Sequence, residues 1–240
     1  MSWNIGKRGL LLLVIGLCAS GGYAYLNGPI VDAYQAPFLY VYGTGSPNQY
    51  ENDVIAKTTQ DVVDKWKLLR ERIVPIKKDV QVTDEDVKNF NLILYGNERS
   101  NKFWQKIAKD LPIRITDEAI IVGDRKYSTY DEGAIFVAPN PLNPNKYVLI
   151  YGALTYHGFP HMNAVQASAT DFVIFNTATK NIRLGEPPSS PLEEGYFDKT
   201  NPLRWKVKPL PKTPVRIIEE TSYQPVQSLK TPVKKTPTKK

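Results

Sequence analysis

The chain has 240 residues, enough for one ordinary domain with tails. Its net charge of +7 sits at the ends: residues 1–24 hold +2 and residues 201–240 hold +8, leaving −3 for the stretch between. A mildly acidic body argues against a nucleic-acid-binding fold, and one cysteine with two histidines excludes both an intrachain disulfide and a Cys/His zinc site.

Lys7-Arg8 precede the apolar run Leu10–Leu17, and no further charge follows until Asp32. A basic segment ahead of an apolar one predicts a signal peptide or an uncleaved signal anchor over residues 1–27. Gly22-Tyr23-Ala24 offers small residues where a signal peptidase inspects them. The uncharged run 9–31 is also long enough to span a bilayer, which takes about 20 residues. A lipoprotein reading of Cys18 is weaker, because bulky Leu17 precedes it. Both main readings export the body, either soluble after cleavage or held at the inner membrane. An export signal without disulfides suits a bacterial envelope.

The body reads as an α/β domain over residues 28–200. Phe38–Tyr42 is an apolar strand closed by Gly43-Thr44-Gly45-Ser46. A helix follows from about Glu51 to Arg72, with Ile55, Val62, Trp66, Leu69 and Ile73 on one face. A short strand near Lys78–Val82 comes next. Thr83 with Asp86 then forms a capping-box pattern. Asn91–Gly96 is apolar throughout and closed by glycine, as a strand buried on both faces would be. Ser100 is a suitable cap for a helix whose Phe103, Trp104, Ile107 and Leu111 point inward.

Ala119–Tyr127 is a hairpin turning at Gly123-Asp124, read as an insertion at the sheet edge. Ala134–Val137 is a strand, and Pro139–Pro144 a proline-rich loop. Tyr147–Tyr151 is a strand, followed by a loop with both histidines, a short helix near 163–169 and a last strand near Asp171–Phe175. These elements predict a mostly parallel, open sheet of flavodoxin-like or Rossmann-like form. Residues 201–240 hold seven of the nineteen prolines and repeat Thr-Pro and Lys, which predicts an extended or disordered basic tail. That tail serves either to solubilise the chain or to adhere to an anionic surface.

Several segments resemble a domain found behind the catalytic domain of large exported prolyl-oligopeptidase-like and esterase-like hydrolases. They are Gly28-Pro29-Ile30, Pro37-Phe38, Tyr42-Gly43-Thr44, Asn91–Gly96, Leu111-Pro112-Ile113, Ile121-Val122-Gly123, Pro139–Pro144 with Tyr147-Val148, and Gly195–Asp198. The proline-asparagine block is the most specific of them. The resemblance implies an α/β fold in an exported setting, without the hydrolase domain. Nowhere in the chain is there a Gly-x-Ser-x-Gly elbow to carry a nucleophile.

Two glycine loops stand out as a candidate ligand crevice. They are Gly43, Thr44, Gly45 and Ser46 after the first strand, and Gly96, Asn97, Arg99 and Ser100 after the central one. At a topological switch point, such loops line the place where open α/β sheets take ligands. The first loop lacks the third glycine of a dinucleotide fingerprint and any Walker lysine, so a tight structural turn is preferred there over a ligand site, and no cofactor is expected. Ser46, Ser100 or Ser168 with His157 or His161 can be drawn as a triad, but no spacing supports it. The function these readings predict is an exported or membrane-anchored accessory domain without catalysis, bound to a protein partner or envelope polymer. Residues 9–31 would supply any membrane attachment. The alternative is a hydrolase-related protein, either a partner subunit or a divergent enzyme using the crevice.

Overall fold

The computed structural model describes residues 26–165, 169–179 and 190–209. Residues 1–25, most of the expected signal segment, and the tail beyond Pro209 lie outside the described residues, as does Ser168. After a 3-10 turn at Ile30–Tyr34, the chain lays down β1 (Phe38–Tyr42), α1 (Gln49–Arg70), β2 (Ile76–Lys78), α2 (Asp84–Asn89), β3 (Asn91–Gly96) and α3 (Lys102–Ile107). Three short strands follow, β4 (Ile113–Ile115), β5 (Ile120–Val122) and β6 (Arg125–Tyr127). The chain then makes β7 (Gly133–Asn140), β8 (Asn143–Ala153), α4 (Phe159–Met162), β9 (Phe172–Phe175), β10 (Glu193–Gly195), β11 (Phe197–Asp198) and β12 (Lys206–Val207).

Seven strands form one mixed sheet in the order β10-β9-β7-β8-β3-β1-β2. The ladders β2-β1, β1-β3 and β3-β8 are parallel, whereas β8-β7, β7-β9 and β9-β10 are antiparallel. The sheet is thus only partly parallel. The reason lies in the proline-asparagine block. Instead of a long loop, Pro141-Leu142 is a two-residue turn joining β7 to β8, and strands joined so tightly must pair antiparallel. β3 lies inside the parallel half, and its Leu92 and Leu94 are fully buried, as its unbroken apolar run predicts.

Strand parity and register place Phe38, Tyr40, Ile93, Tyr95, Leu149 and Tyr151 on one face. α1 covers that face, where the Trp66 indole N–H donates to the Tyr40 hydroxyl at 2.8 Å. On the other face Trp104 and Ile115 press onto Gly152, so closely that a Cβ there would lie 2.6 and 2.4 Å from them. Only glycine permits that approach.

The hairpin β5–β6 forms where expected, with Gly123 at φ +64°. It belongs to a separate three-stranded sheet, β4-β5-β6, and does not extend the main sheet's edge. Other expectations shift as well. The capping box on Thr83 and Asp86 forms in full. By contrast α3 is capped by Asn101, because the Ser100 hydroxyl already accepts the Asn97 N–H. β2 is displaced toward Ile76, and Asp79–Gln81 turn as a 3-10 segment. His161 sits within α4, whose second position tolerates Pro160 because no intrahelical bond is due there. Leu69 and Ile73 point outward, and Val63 takes the buried place instead.

Both ends of the body run further than the sequence suggests. Leu26 packs against the core and Ile30 is wholly buried, so residues 26–31 belong to the fold and not to a membrane span. At the other end, the first compact unit closes at Lys208, not at Thr200. β12 pairs with β11, and Trp205 is buried against Phe197 and Tyr147 with the Lys199 ammonium 4.7 Å from its ring. Aromatic content decides this boundary, since an indole buries more apolar area than the flanking prolines and lysines can oppose. Trp205→Ala should therefore cost about 3–5 kcal/mol, read by chemical denaturation. A chain ending at Thr200 should melt lower than one ending at Lys208, and equal midpoints would show that Trp205 adds nothing to the core.

Candidate functional site

β1 and β3 are neighbours whose following segments leave in opposite senses, to β2 on one side and toward β8 on the other. Their carboxyl ends therefore form a switch point, and the two glycine loops meet there as the sequence suggests. They meet more tightly than a ligand crevice allows. Gly43 N–H donates to Tyr95 O at 2.9 Å and Gly45 N–H to Ser100 O at 2.6 Å. A Cβ on Gly43 would lie 2.6 Å from that same Ser100 oxygen. At Gly96, φ is +138°, which favours glycine on backbone grounds alone. The glycines thus serve the approach of one loop to the other, and the backbone amides are spent on that contact.

Side chains complete the closure. Ser100 and Asn97 exchange bonds, each backbone N–H donating to the other's side-chain oxygen at 2.9 Å. Asn97 Nδ2 reaches Glu51 Oε1 at 3.2 Å and Ala153 O at 3.3 Å. Arg99 grips the buried Glu51 carboxylate with one nitrogen, at 3.0 and 2.8 Å, and reaches Asp117 with the other at 2.9 Å. On the other side of the loop, Asp79 accepts from Thr44 Oγ1 and from Lys102 N, each at 2.6 Å. Ser46 exchanges backbone bonds with the Asn52 side chain, and its hydroxyl accepts from Asn48 N–H.

The arrangement is that of an anion site filled from within. Arg99 and the Lys102 amide are the donors a phosphate or carboxylate ligand would use. Glu51 and Asp79 already hold them. Sequence reasoning named the eight loop residues but missed both carboxylates. Glu51 reads as an ordinary acid in a helix's first turn, and Asp79 reads as a strand residue. Its place in a 3-10 turn, across which the Lys78 N–H donates to the Gln81 side chain at 3.1 Å, is what aims it at the Lys102 amide. Beside the closed switch point a polar cleft of about 310 Å3 remains, lined by Tyr42, Thr44, Gln49, Asn52, Asp53, Ala56 and Lys78.

The histidines do not join the serines. Among the described residues no hydrogen bond links Ser46 or Ser100 to either imidazole. His157 stands between Tyr156 and Tyr130, with ring centroids at 4.1 and 5.0 Å, and its buried Nδ1 has no partner there. Asp131 nearby accepts from Thr177 through both its hydroxyl and its amide. Those bonds, helped by His157, hold its carboxyl below the usual range. No cluster of metal-ligating side chains occurs among the described residues.

Under α1 the strand tyrosines form a hydrogen-bonded group that composition alone did not show. Tyr34 and Tyr151 share a bond at 3.0 Å, Tyr95 donates to Asn163 Oδ1 at 2.9 Å, and Tyr95 stacks on Tyr151 at 4.8 Å. Burial pushes the Tyr34, Tyr40, Tyr95 and Tyr151 phenols above their ordinary value. Comparison with known proteins finds no family model that matches the chain and no matching curated protein.

Two outcomes follow from this geometry. Removing one partner of a buried pair leaves the other charge uncompensated, so Arg99→Ala, which strands the buried Glu51 carboxylate, should cost about 3–5 kcal/mol. Exposed Asp117, still able to pair with Arg99, keeps the Glu51→Ala cost smaller. A double-mutant cycle in urea that returns no coupling would remove the pair from the switch point's support. The second outcome is alkaline. Phenols with raised folded pKa add stability that is fully present below the unfolded value of about 10 and is lost as pH rises above it. Absorbance titration at the phenolate band should show these four ionising only as the protein unfolds. Smooth titration of all fourteen tyrosines in the folded state would contradict their burial.

Proposed function

We propose that this chain is an exported or membrane-anchored accessory module of a bacterial envelope, engaging a protein partner or envelope polymer and performing no reaction of its own. One observation carries the reading. The place where an open α/β sheet takes a small ligand is filled by the chain's own Glu51–Arg99 and Asp79–Lys102 contacts. A switch point neutralised in this way suits a scaffold better than a binding crevice.

The order of the parallel strands, β2-β1-β3-β8, supports a flavodoxin-like reading of that half of the sheet. The resemblance to domains that follow exported hydrolases supports an accessory role, as does the lack of a nucleophile elbow. The basic segment Lys7-Arg8 ahead of Leu10–Leu17 supports export. With residues 26–31 belonging to the body, any anchor is left with residues 9–25, near the short end of the roughly 17–25 residues that span a bilayer.

Affinity purification of the full chain from its own envelope, followed by assays on chromogenic esters and peptide anilides, tests the reading. The expected result is a stably retained partner and no turnover by the purified chain alone. Turnover that persists through purification and falls in a folded His157→Ala variant would instead establish a divergent hydrolase.

A further inference from the structure

The first two-thirds of α1 is an ordinary amphipathic helix, but its last turn and the residues after it are not. Leu68, Leu69 and Ile73 are 79, 71 and 86% exposed, and Leu69 borders an open groove of about 250 Å3 lined by Tyr34, Tyr40, Val62 and Trp66. Lys65, Lys67, Arg70 and Arg72 surround these side chains, against the single carboxylate of Glu71. Among the described residues none of the four forms an ion pair, although Arg72 lies over the Phe38 ring at 4.8 Å. Three large exposed aliphatic side chains ringed by unpaired cations are costly to leave in water, and they stand on a body whose net charge is otherwise acidic.

The position of this tip adds a second argument. α1 returns antiparallel to β1, so its end lies at the amino ends of the parallel strands. Trp66 and Arg72 accordingly reach Phe38, the first residue of β1. The described chain begins at that same end. Asn27 and Gly28 N–H groups donate to the Tyr147 hydroxyl, and Tyr147 N–H donates to Asn91, the first residue of β3. The chain therefore enters the body at Leu26 on the end that carries the exposed leucines.

We infer that the α1 tip, Lys65–Ile73, is a membrane-contact surface for an anionic bilayer. Leu68, Leu69 and Ile73 enter the headgroup–acyl boundary while Lys65, Lys67 and Arg70 meet lipid phosphates. Contact there turns the opposite rim, with the closed switch point and His157, away from the membrane. The inference rests on the tip's own residues and does not require that residues 9–25 remain as an anchor or that the chain be an accessory module.

The test uses the full chain carrying Cys18→Ser and Leu69→Cys, with a polarity-sensitive fluorophore on the new thiol and a nitroxide quencher on the lipid acyl chains. A second protein carries the same label through Tyr130→Cys, an exposed site in the loop beside His157. With vesicles containing phosphatidylglycerol, position 69 should brighten and be quenched by the nitroxide, and position 130 should do neither. Replacing Lys65, Lys67 and Arg70 by Gln should weaken the response by about fivefold per charge, since each cation near such a surface is worth about 1 kcal/mol. Circular dichroism checks that the variant folds. Three results would overturn the inference. Position 69 could stay unquenched on protein that still sediments with the vesicles, which would mean attachment through another segment. It could respond equally to pure phosphatidylcholine. Or it could brighten with protein concentration alone, which would mean that a second copy covers the tip.

Discussion

The structure turns on the contact between the loop after β1 and the loop after β3. Two parallel strands whose following segments leave to opposite sides open a gap at their carboxyl ends, and something must fill it. Here the backbone fills it, through Gly45 N–H on Ser100 O, with Gly43 so close that no side chain fits. Once the loops touch, their remaining polar groups lose water and need partners from the protein. Glu51 comes from the first turn of α1 and Asp79 from the turn after β2, so one contact fixes the start of two elements. The direction of α1 across the sheet and the end of β2 follow from it.

That contact also explains why so much of the fold was legible and so little of the site. Asn91–Gly96 had to be a central strand, because six residues without a charge, closed by glycine, have nowhere else to go. The meeting of Gly43–Ser46 with Gly96–Ser100 followed from strand order alone. Whether the meeting leaves room for a ligand depends on carboxylates distant in sequence, and a lone Glu51 or Asp79 carries no mark of its destination. The mixed sheet was hidden for a related reason. Pro139–Pro144 looks like a rigid loop by composition, yet only Pro141-Leu142 turns, and the outer residues of the block extend the two strands. Composition also misplaced the body's end, since a single indole at residue 205 outweighs the prolines around it.

The two ends of the sheet differ in chemistry. At the carboxyl ends, carboxylates, amides and one guanidinium neutralise each other. At the amino ends, Asn91 ties three segments together by accepting from Tyr147 N–H and donating to Ala33 O, with its own amide on Pro37 O. Aromatic rings fill the space beneath α1, and their hydroxyls bond to one another, to the Trp66 indole and to Asn163. Buried phenols need partners as much as buried carboxylates do, but they carry no charge to be matched.

Charge enters the interior near the same end at one further point. Asp171 is wholly buried, pairs with Lys199 at 2.7 Å and accepts the Phe197 N–H at 2.9 Å, while its second oxygen lies where a Gly28 side chain would have to be. Lys199 in turn donates to Asn27 O and covers Trp205. A buried pair of this kind contributes little net stability but is costly to break from one side, so it acts as a geometric constraint. What it constrains is the juncture of the body's first and last residues. Asn27, Gly28, Lys199 and Trp205 are held together around one carboxylate. The chain's entry into the body is thereby tied to the residue before β9 through Asp171, to the segment around Lys199, and to β8 through the Tyr147 hydroxyl.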